Sequence, residues 1–122
     1  MATVTPKLTL SSTDLTTDTL DVALTDSLTI AGPTQSFRVA TSTSSASVLA
    51  AADYTKSYVM FHNTSTDGAE IITIEKADSG DEYITLGAGE WCWFPWASTV
   101  DLFADAASGT PVLSVMVMQV AA

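Results

Sequence analysis

The side chains able to do chemistry in this 122-residue chain are few and widely spaced. His62 is the only histidine and Cys92 the only cysteine. General acid–base or nucleophilic catalysis needs a positioned base beside an activated partner. His62 falls at the end of a predicted strand with no motif around it, and reads as a surface or loop-packing residue. Serines are abundant, but none sits in a Gly-x-Ser-x-Gly elbow. Asp81 and Glu82 are adjacent carboxylates, and neighbours on a strand point to opposite faces, so they cannot act on one substrate atom. Asp78, Gly80 and Asp81 loosely suggest a calcium loop, yet the EF-hand spacing and its terminal Glu are missing. They read as an acidic turn. A single Cys and a single His leave no zinc cluster. Gly87-Ala88-Gly89 has no following helix to cradle a phosphate and reads as a tight hairpin turn. Asn63-Thr64-Ser65 matches a glycosylation sequon, but without a secretion signal it counts as chance. No catalytic, cofactor-binding or metal-binding residue is assigned.

The unusual cluster is Trp91-Cys92-Trp93-Phe94-Pro95-Trp96, which holds all three tryptophans of the chain. Strand alternation puts Trp91 and Trp93 on one face and Phe94 towards the other. One set can fill a core, which leaves the opposite set partly exposed unless another surface covers it. Three readings stay open for the indoles: core or belt residues, a protein–protein contact, or a platform that stacks on sugar rings. Cys92, flanked by indoles, reads as a small buried hydrophobe rather than a reactive thiolate. The candidate interface residues are Leu8, Leu10, Trp91, Trp93, Trp96, Met116 and Met118.

The elements that must position these residues are short strands separated by turn signals. Strands are predicted at Tyr58–His62, Glu70–Ile74, Glu82–Leu86, Trp91–Phe94, Val100–Ala104 and Val112–Val120. Turns fall at Asn63–Gly68, Lys76–Asp81 and Gly87–Glu90. Spacings of roughly 8–12 residues signal a sandwich or barrel, and no segment carries a helical period. In the first of these strands Tyr58, Met60 and His62 share one face, with Val59 and Phe61 on the other. The last is apolar on both faces: Leu113, Val115 and Val117 on one side, Val112, Met116, Met118 and Val120 on the other. Such a strand is either central in a sandwich or one side of a subunit contact. Further towards the N-terminus, Phe37–Thr41 reads as a strand, and Val48–Asp53 as one helical turn or a strand ending in a loop. Ala31-Gly32-Pro33 marks a break. Residues 1–30 mix short edge-like strands (Leu8 and Leu10, then Leu28 and Ile30, alternate with Thr) with the character of an arm. The expectation is a single all-β domain, a β-sandwich or jelly-roll-like fold, over residues 16–122, with residues 1–15 an extended N-terminal arm.

Composition narrows the function classes. The apolar fraction, 47%, is ample for one core, and only 15% of residues are charged. At this length a domain buries roughly two-thirds of its unfolded surface. The formal net charge is −10. Phosphate backbones and anionic lipid are bound through clustered Lys and Arg, whereas Lys7, Arg38, Lys56 and Lys76 are scattered. Nucleic acid and membrane are therefore not expected partners. One cysteine allows no internal disulfide, so packing alone must hold the fold. The start, Met1-Ala2-Thr3-Val4-Thr5, lacks a signal-peptide pattern, and no stretch approaches the ~18 apolar residues that cross a bilayer.

Three segments together resemble small virion proteins of tailed phages, particularly those of marine and cyanobacterial phages. They are the polar start Leu8-Thr9-Leu10-Ser11-Ser12-Thr13-Asp14-Leu15, the strand and loop Tyr58-Val59-Met60-Phe61-His62-Asn63-Thr64, and the turn into aromatics Leu86-Gly87-Ala88-Gly89-Glu90-Trp91-Cys92-Trp93-Phe94-Pro95. A final apolar strand completes the pattern, which covers most of residues 58–120. The resemblance implies a sandwich or jelly-roll domain that decorates or cements a capsid, or sits in a tail or fibre. It defines no binding residues, and the triple tryptophan departs from the usual single aromatic pair. The function expected is that of a non-enzymatic capsid decoration protein of a bacteriophage, made in the host cytoplasm and placed on the virion exterior. Its expected partners are the major capsid protein and its own copies, with a homotrimer favoured. The rival expectation is a carbohydrate-binding or adhesin-like module built on the tryptophans.

Overall fold

Alternating apolar residues with a period of two become eleven strands in the computed structural model, which describes residues 2–15, 19–76 and 81–121. They are β1 (Ala2–Val4), β2 (Lys7–Ser12), β3 (Leu20–Thr25), β4 (Leu28–Ala40), β5 (Ala46–Leu49), β6 (Ser57–Asn63), β7 (Ile72–Lys76), β8 (Glu82–Leu86), β9 (Trp91–Trp96), β10 (Leu102–Ala106) and β11 (Val112–Val120). Among the described residues the only helical element is a single 3-10 turn, Ala51–Asp53. The protein is all-β and sandwich-like.

The chain divides into two compact units, Met1–Ala31 with Ala121–Ala122, and Gly32–Val120. In the first, β1 pairs antiparallel with the start of β4, and β2 with β3 as a separate two-stranded sheet. The second is a two-layer sandwich. One sheet runs β4-β11-β6-β9 and the other β5-β10-β7-β8. Thus β4 lies beside β11, β5 beside β10, β6 beside β9 and β7 beside β8. This nested pairing of first strand with last, inward to a central hairpin, is one long hairpin rolled into two sheets. It is the strand order of a jelly roll.

Both sheets contribute to the core. Val59 and Phe61 of β6, Trp96 of β9, and Leu113, Val115 and Val117 of β11 come from one side; Leu49, Ile72, Ile74, Leu86, Leu102 and Ala104 come from the other. Phe37 and Val39 of β4 pack on its margin, as do Cys92 and Phe94 of β9. Each buried Val, Leu, Ile or Phe contributes about 1.5–3 kcal/mol relative to an exposed one, so this double row dominates stability. β11 is central in its sheet, with Leu113, Val115 and Val117 turned to the core and Met116 and Met118 on the outer side.

Several boundaries differ from the sequence expectation, each for a local reason. β4 runs through Ala31-Gly32-Pro33 without a break. A Cβ at Gly32 would meet the Gln119 side chain on β11, so the glycine is there for close approach rather than for a turn. Beyond Ile30 the described residues show no strand paired on the β1 side of β4, and an open edge tolerates Pro33. β7 begins at Ile72 rather than at Glu70, because Glu70 closes the preceding turn: its N–H donates to Asp67 and its carboxylate accepts from Ser65 Oγ at 2.9 Å. β10 likewise starts two residues late, at Leu102; the loop before it carries Ser98 with φ 62°, whose single hydroxyl proton is shared between the carbonyls of Ala51 and Tyr54. The Gly87–Glu90 turn is tight, with Gly89 at φ 77°, but it joins β8 to β9 in the opposite sheet and so makes no hairpin. Val48–Asp53 combines both readings, the end of β5 and then the 3-10 turn. Residues 2–12 are not a bare arm: β1 and β2 are both paired, and the unit boundary falls at Ala31/Gly32 rather than at residue 15.

One polar side chain stitches the two layers. Asn63, fully buried at the end of β6, donates its amide to the carbonyls of Glu70 (2.9 Å) and Leu86 (3.1 Å), and its Oδ1 accepts from Ser65 N–H. Asn63 is also the sequon asparagine, and its burial removes it as a glycosylation acceptor. Thr64 follows with its Oγ1 on the Val112 carbonyl at 2.8 Å. Truncating Asn63 strands two carbonyls and an N–H in a dry site, each worth about 1 kcal/mol or more. Asn63→Ala is expected to lower stability by about 3 kcal/mol, read as a reduced urea midpoint at an unchanged slope.

Candidate interaction face

The inward set of β6 dictates the outward one. With Val59, Phe61 and Asn63 turned into the core, Tyr58, Met60 and His62 must point the other way. Register then sets their neighbours. His62 lies between Trp91 on β9 and Ser114 on β11; Met60 lies between Trp93 and Met116; Tyr58 lies between Pro95 and Met118. Three strands thus present three cross-strand rows, and none of the nine side chains is an acid, lysine or arginine. Tyr58 and Trp93, diagonal neighbours, stack with ring centroids 5.6 Å apart and planes at 24°. Such a pair holds both rings in place and contributes about 0.5–1.5 kcal/mol beyond its buried area.

The expected interface residues separate on this frame. Trp91 is 61% exposed, Trp93 and Met116 are half-buried, and all three share the outer face. Trp96 is not part of it. Even-numbered residues of β9 face the core, where Trp96 is 5% exposed beside Tyr54, so it offers no platform. Met118 is on the outer side but already buried. Leu8 and Leu10 belong to the β2–β3 hairpin of the first unit and are both exposed. Tyr58, Met60, His62 and Ser114 were not among the expected residues. The alternation of β6 shows which of its residues share a face, but cross-strand register is needed to set them beside the tryptophans.

β9 is the last strand of its sheet. Asn63 N–H donates to the Glu90 carbonyl at 2.9 Å, which fixes the ladder parity. By alternation the backbone groups of Trp91, Trp93 and Pro95 turn away from β6 to the open edge. Pro95 therefore has no N–H to leave unpaired there, and it shortens the stretch on which a foreign strand could pair.

The opposite side of the sandwich differs in kind. Glu75 and Asp105 alternate away from the core on β7 and β10, with Glu82 opposite Glu75 on β8. Ser45 Oγ donates to Glu75 at 2.6 Å. Burial first, and then repulsion from Glu75 and Glu82, push the Asp105 carboxyl above its usual value. Asp81 precedes β8 and its carbonyl accepts the Lys76 N–H, while Asp78 and Gly80 lie outside the described residues. Among the described residues no three His, Cys, Asp or Glu side chains gather closely enough to hold a metal ion. No described helix is long and apolar enough to cross a membrane. The chain matches no known family, no curated protein and no solved structure.

Two expectations follow from these environments. A carboxyl raised in the folded chain supports the fold while protonated, and that support is lost as pH rises from the ordinary carboxylate range through the raised value. Asp105→Asn should therefore raise the melting temperature at neutral pH, and the gain should vanish at about pH 4 or below. Burial also lifts the Cys92 thiol, against a smaller opposing hydrogen bond with the Phe61 backbone. Cys92 should react with a disulfide reagent at neutral pH much more slowly in the folded than in the urea-unfolded protein, followed as thionitrobenzoate release.

Proposed function

We propose that this protein is a non-enzymatic virion structural protein of the capsid decoration type, held to a shell through the outer face of β9, β6 and β11. The observation that carries the reading is the contrast between the two outer faces. Across β9, β6 and β11 one is aromatic, methionine-rich and free of charge; the other carries the carboxylates of Glu82, Asp105 and the buried Glu75. An uncharged face with an exposed tryptophan suits burial against another protein, and an acidic face suits water and repels nucleic acid. The resemblance of residues 58–120 to small tailed-phage virion proteins points the same way. So does the jelly-roll strand order, which viral capsid domains use, although fold alone is an analogy. The partner in this reading is a major capsid protein at the virion exterior. Repeated copies, three around a shell symmetry axis, multiply modest single contacts into avidity.

Purified protein is expected to co-sediment with expanded shells and to raise their melting temperature. Trp91→Ala, a change at an exposed residue, should weaken that binding about tenfold or more while leaving the protein's own melting temperature unchanged. Shells neither bound nor stabilised would overturn the proposal.

A second reading rests on the row Trp91–His62–Ser114. An exposed indole beside an imidazole and a hydroxyl is chemistry that holds a neutral sugar, the ring stacking on Trp91 and its hydroxyls pairing with the polar neighbours. Quenching of tryptophan fluorescence by millimolar neutral glycans, lost in Trp91→Ala, would favour it over the structural role.

A further inference from the structure

The outer row that starts at Trp91 does not end at β11. Thr41 N–H donates to the Pro111 carbonyl at 3.0 Å, which sets how β4 lies along β11 in the second unit. Stepping inward along both strands from that bond brings Arg38 opposite Ser114. The same register sets Val39 opposite Leu113 and Phe37 opposite Val115, four side chains that all pack on the core. Between Phe37 and Val39, Arg38 must turn outward, and it is exposed. The row therefore reads Trp91, His62, Ser114, Arg38, with one residue from each of β9, β6, β11 and β4. An exposed indole stands at one end and the only arginine of the chain at the other. Strand spacing puts about 14 Å between their backbones.

Charge singles out the same row. The chain carries fourteen Asp and Glu residues, yet β4, β6, β9 and β11 contain none. Arg38 is the one formal charge on these four strands. An anionic group arriving there meets no carboxylate on the sheet, and acids elsewhere are screened beyond about 8 Å at physiological salt.

The geometry points to a binding site for an acidic saccharide, with one sugar ring stacked on Trp91 and a uronate carboxylate paired with Arg38. This inference rests on the sugar reading of Trp91–His62–Ser114 and narrows its ligand from neutral to acidic. A guanidinium fork matches a carboxylate through two parallel N–H···O bonds, which a neutral sugar cannot reproduce. His62 and Ser114, half-buried between the two ends, offer polar groups to the ring hydroxyls. A row of this span suits a short oligosaccharide rather than a single sugar. One arginine also suits one isolated anion, whereas a nucleic-acid strand needs clustered cations along its phosphates.

Titrations followed by amide chemical shifts test the site on the free protein. Trigalacturonate is expected to shift residues of β9, β6, β11 and β4 together, with half-saturation at about 1 mM. Its methyl ester keeps the rings and removes the charges, and should bind about threefold or more weakly. Arg38→Gln should weaken the acid by that same factor and leave the ester unchanged, because both changes delete one shared pair. Trp91→Ala should weaken acid and ester alike. Equal binding of acid and ester would overturn the inference and leave the sugar reading in place. Shifts from triglutamate but none from trigalacturonate would overturn it in favour of a protein carboxylate. Silence towards every saccharide would remove the inference and the sugar reading together.

Discussion

The feature on which the rest of the second unit depends is the inward row shared by β6 and β11. Val59, Phe61, Val115 and Val117 are fully buried and paired across the strands. Because a strand alternates strictly, turning this row inward leaves no freedom on the other side. Tyr58, Met60, Met116 and Met118 must then share the outer face, and β9 in the same sheet adds Trp91 and Trp93 while committing Trp96 to the core. A slip of β6 by one residue would drive Val59 and Phe61 out of the core. The aromatic face is held in register by the free energy of the core behind it.

Closure of the sandwich needs more than apolar burial, since strands that switch sheets leave backbone groups at the crossings. Asn63 and its neighbours satisfy them. One side-chain amide reaches carbonyls on two crossing segments, Thr64 engages Val112, and the Glu90 carboxylate accepts the Gly87 N–H. Thr41 does the same from the other direction, its Oγ1 donating to the Pro111 carbonyl at 2.7 Å. The polar residues that punctuate the strands are thus part of the mechanism that joins the layers. Their loss would free the sheets to separate at one end.

The two outer faces then differ in chemistry. Acid groups gather on the β7–β10 side, where Glu75 is buried against Ser45 Oγ and burial together with mutual repulsion raises the Asp105 carboxyl. The other side is kept clear of charge across three strands. That asymmetry is what the proposed docking role rests on. The hairpin of the first unit adds a smaller apolar side of a different chemistry, aliphatic where the sandwich face is aromatic.

The sequence by itself determined the fold class, because period-two alternation bounded by Asn, Asp and Gly turns is written in local residue order. It also determined which residues of each strand share a side: Tyr58 with Met60 and His62, Trp91 with Trp93, Leu113 with Val115 and Val117. Strand starts differ from the local reading at Glu70, which the preceding turn claims through Asp67 and Ser65, and at Val100, where the Ser98 loop is tied to the distant Ala51 and Tyr54. Ala31-Gly32-Pro33 reads as a turn until the Gln119 side chain is seen against Gly32. Only the tertiary structure decided that β6 sits between β9 and β11, that the Gly87–Glu90 turn crosses between layers, and that Trp96 parts from the other two tryptophans. Pairing partners on β6 and β11 lie 50 to 62 residues apart along the chain (Asn63 with Leu113, Ser57 with Gln119), and nothing in local propensity encodes which strand meets which. The order of strands in a sheet is settled by the one arrangement that buries every inward row at once.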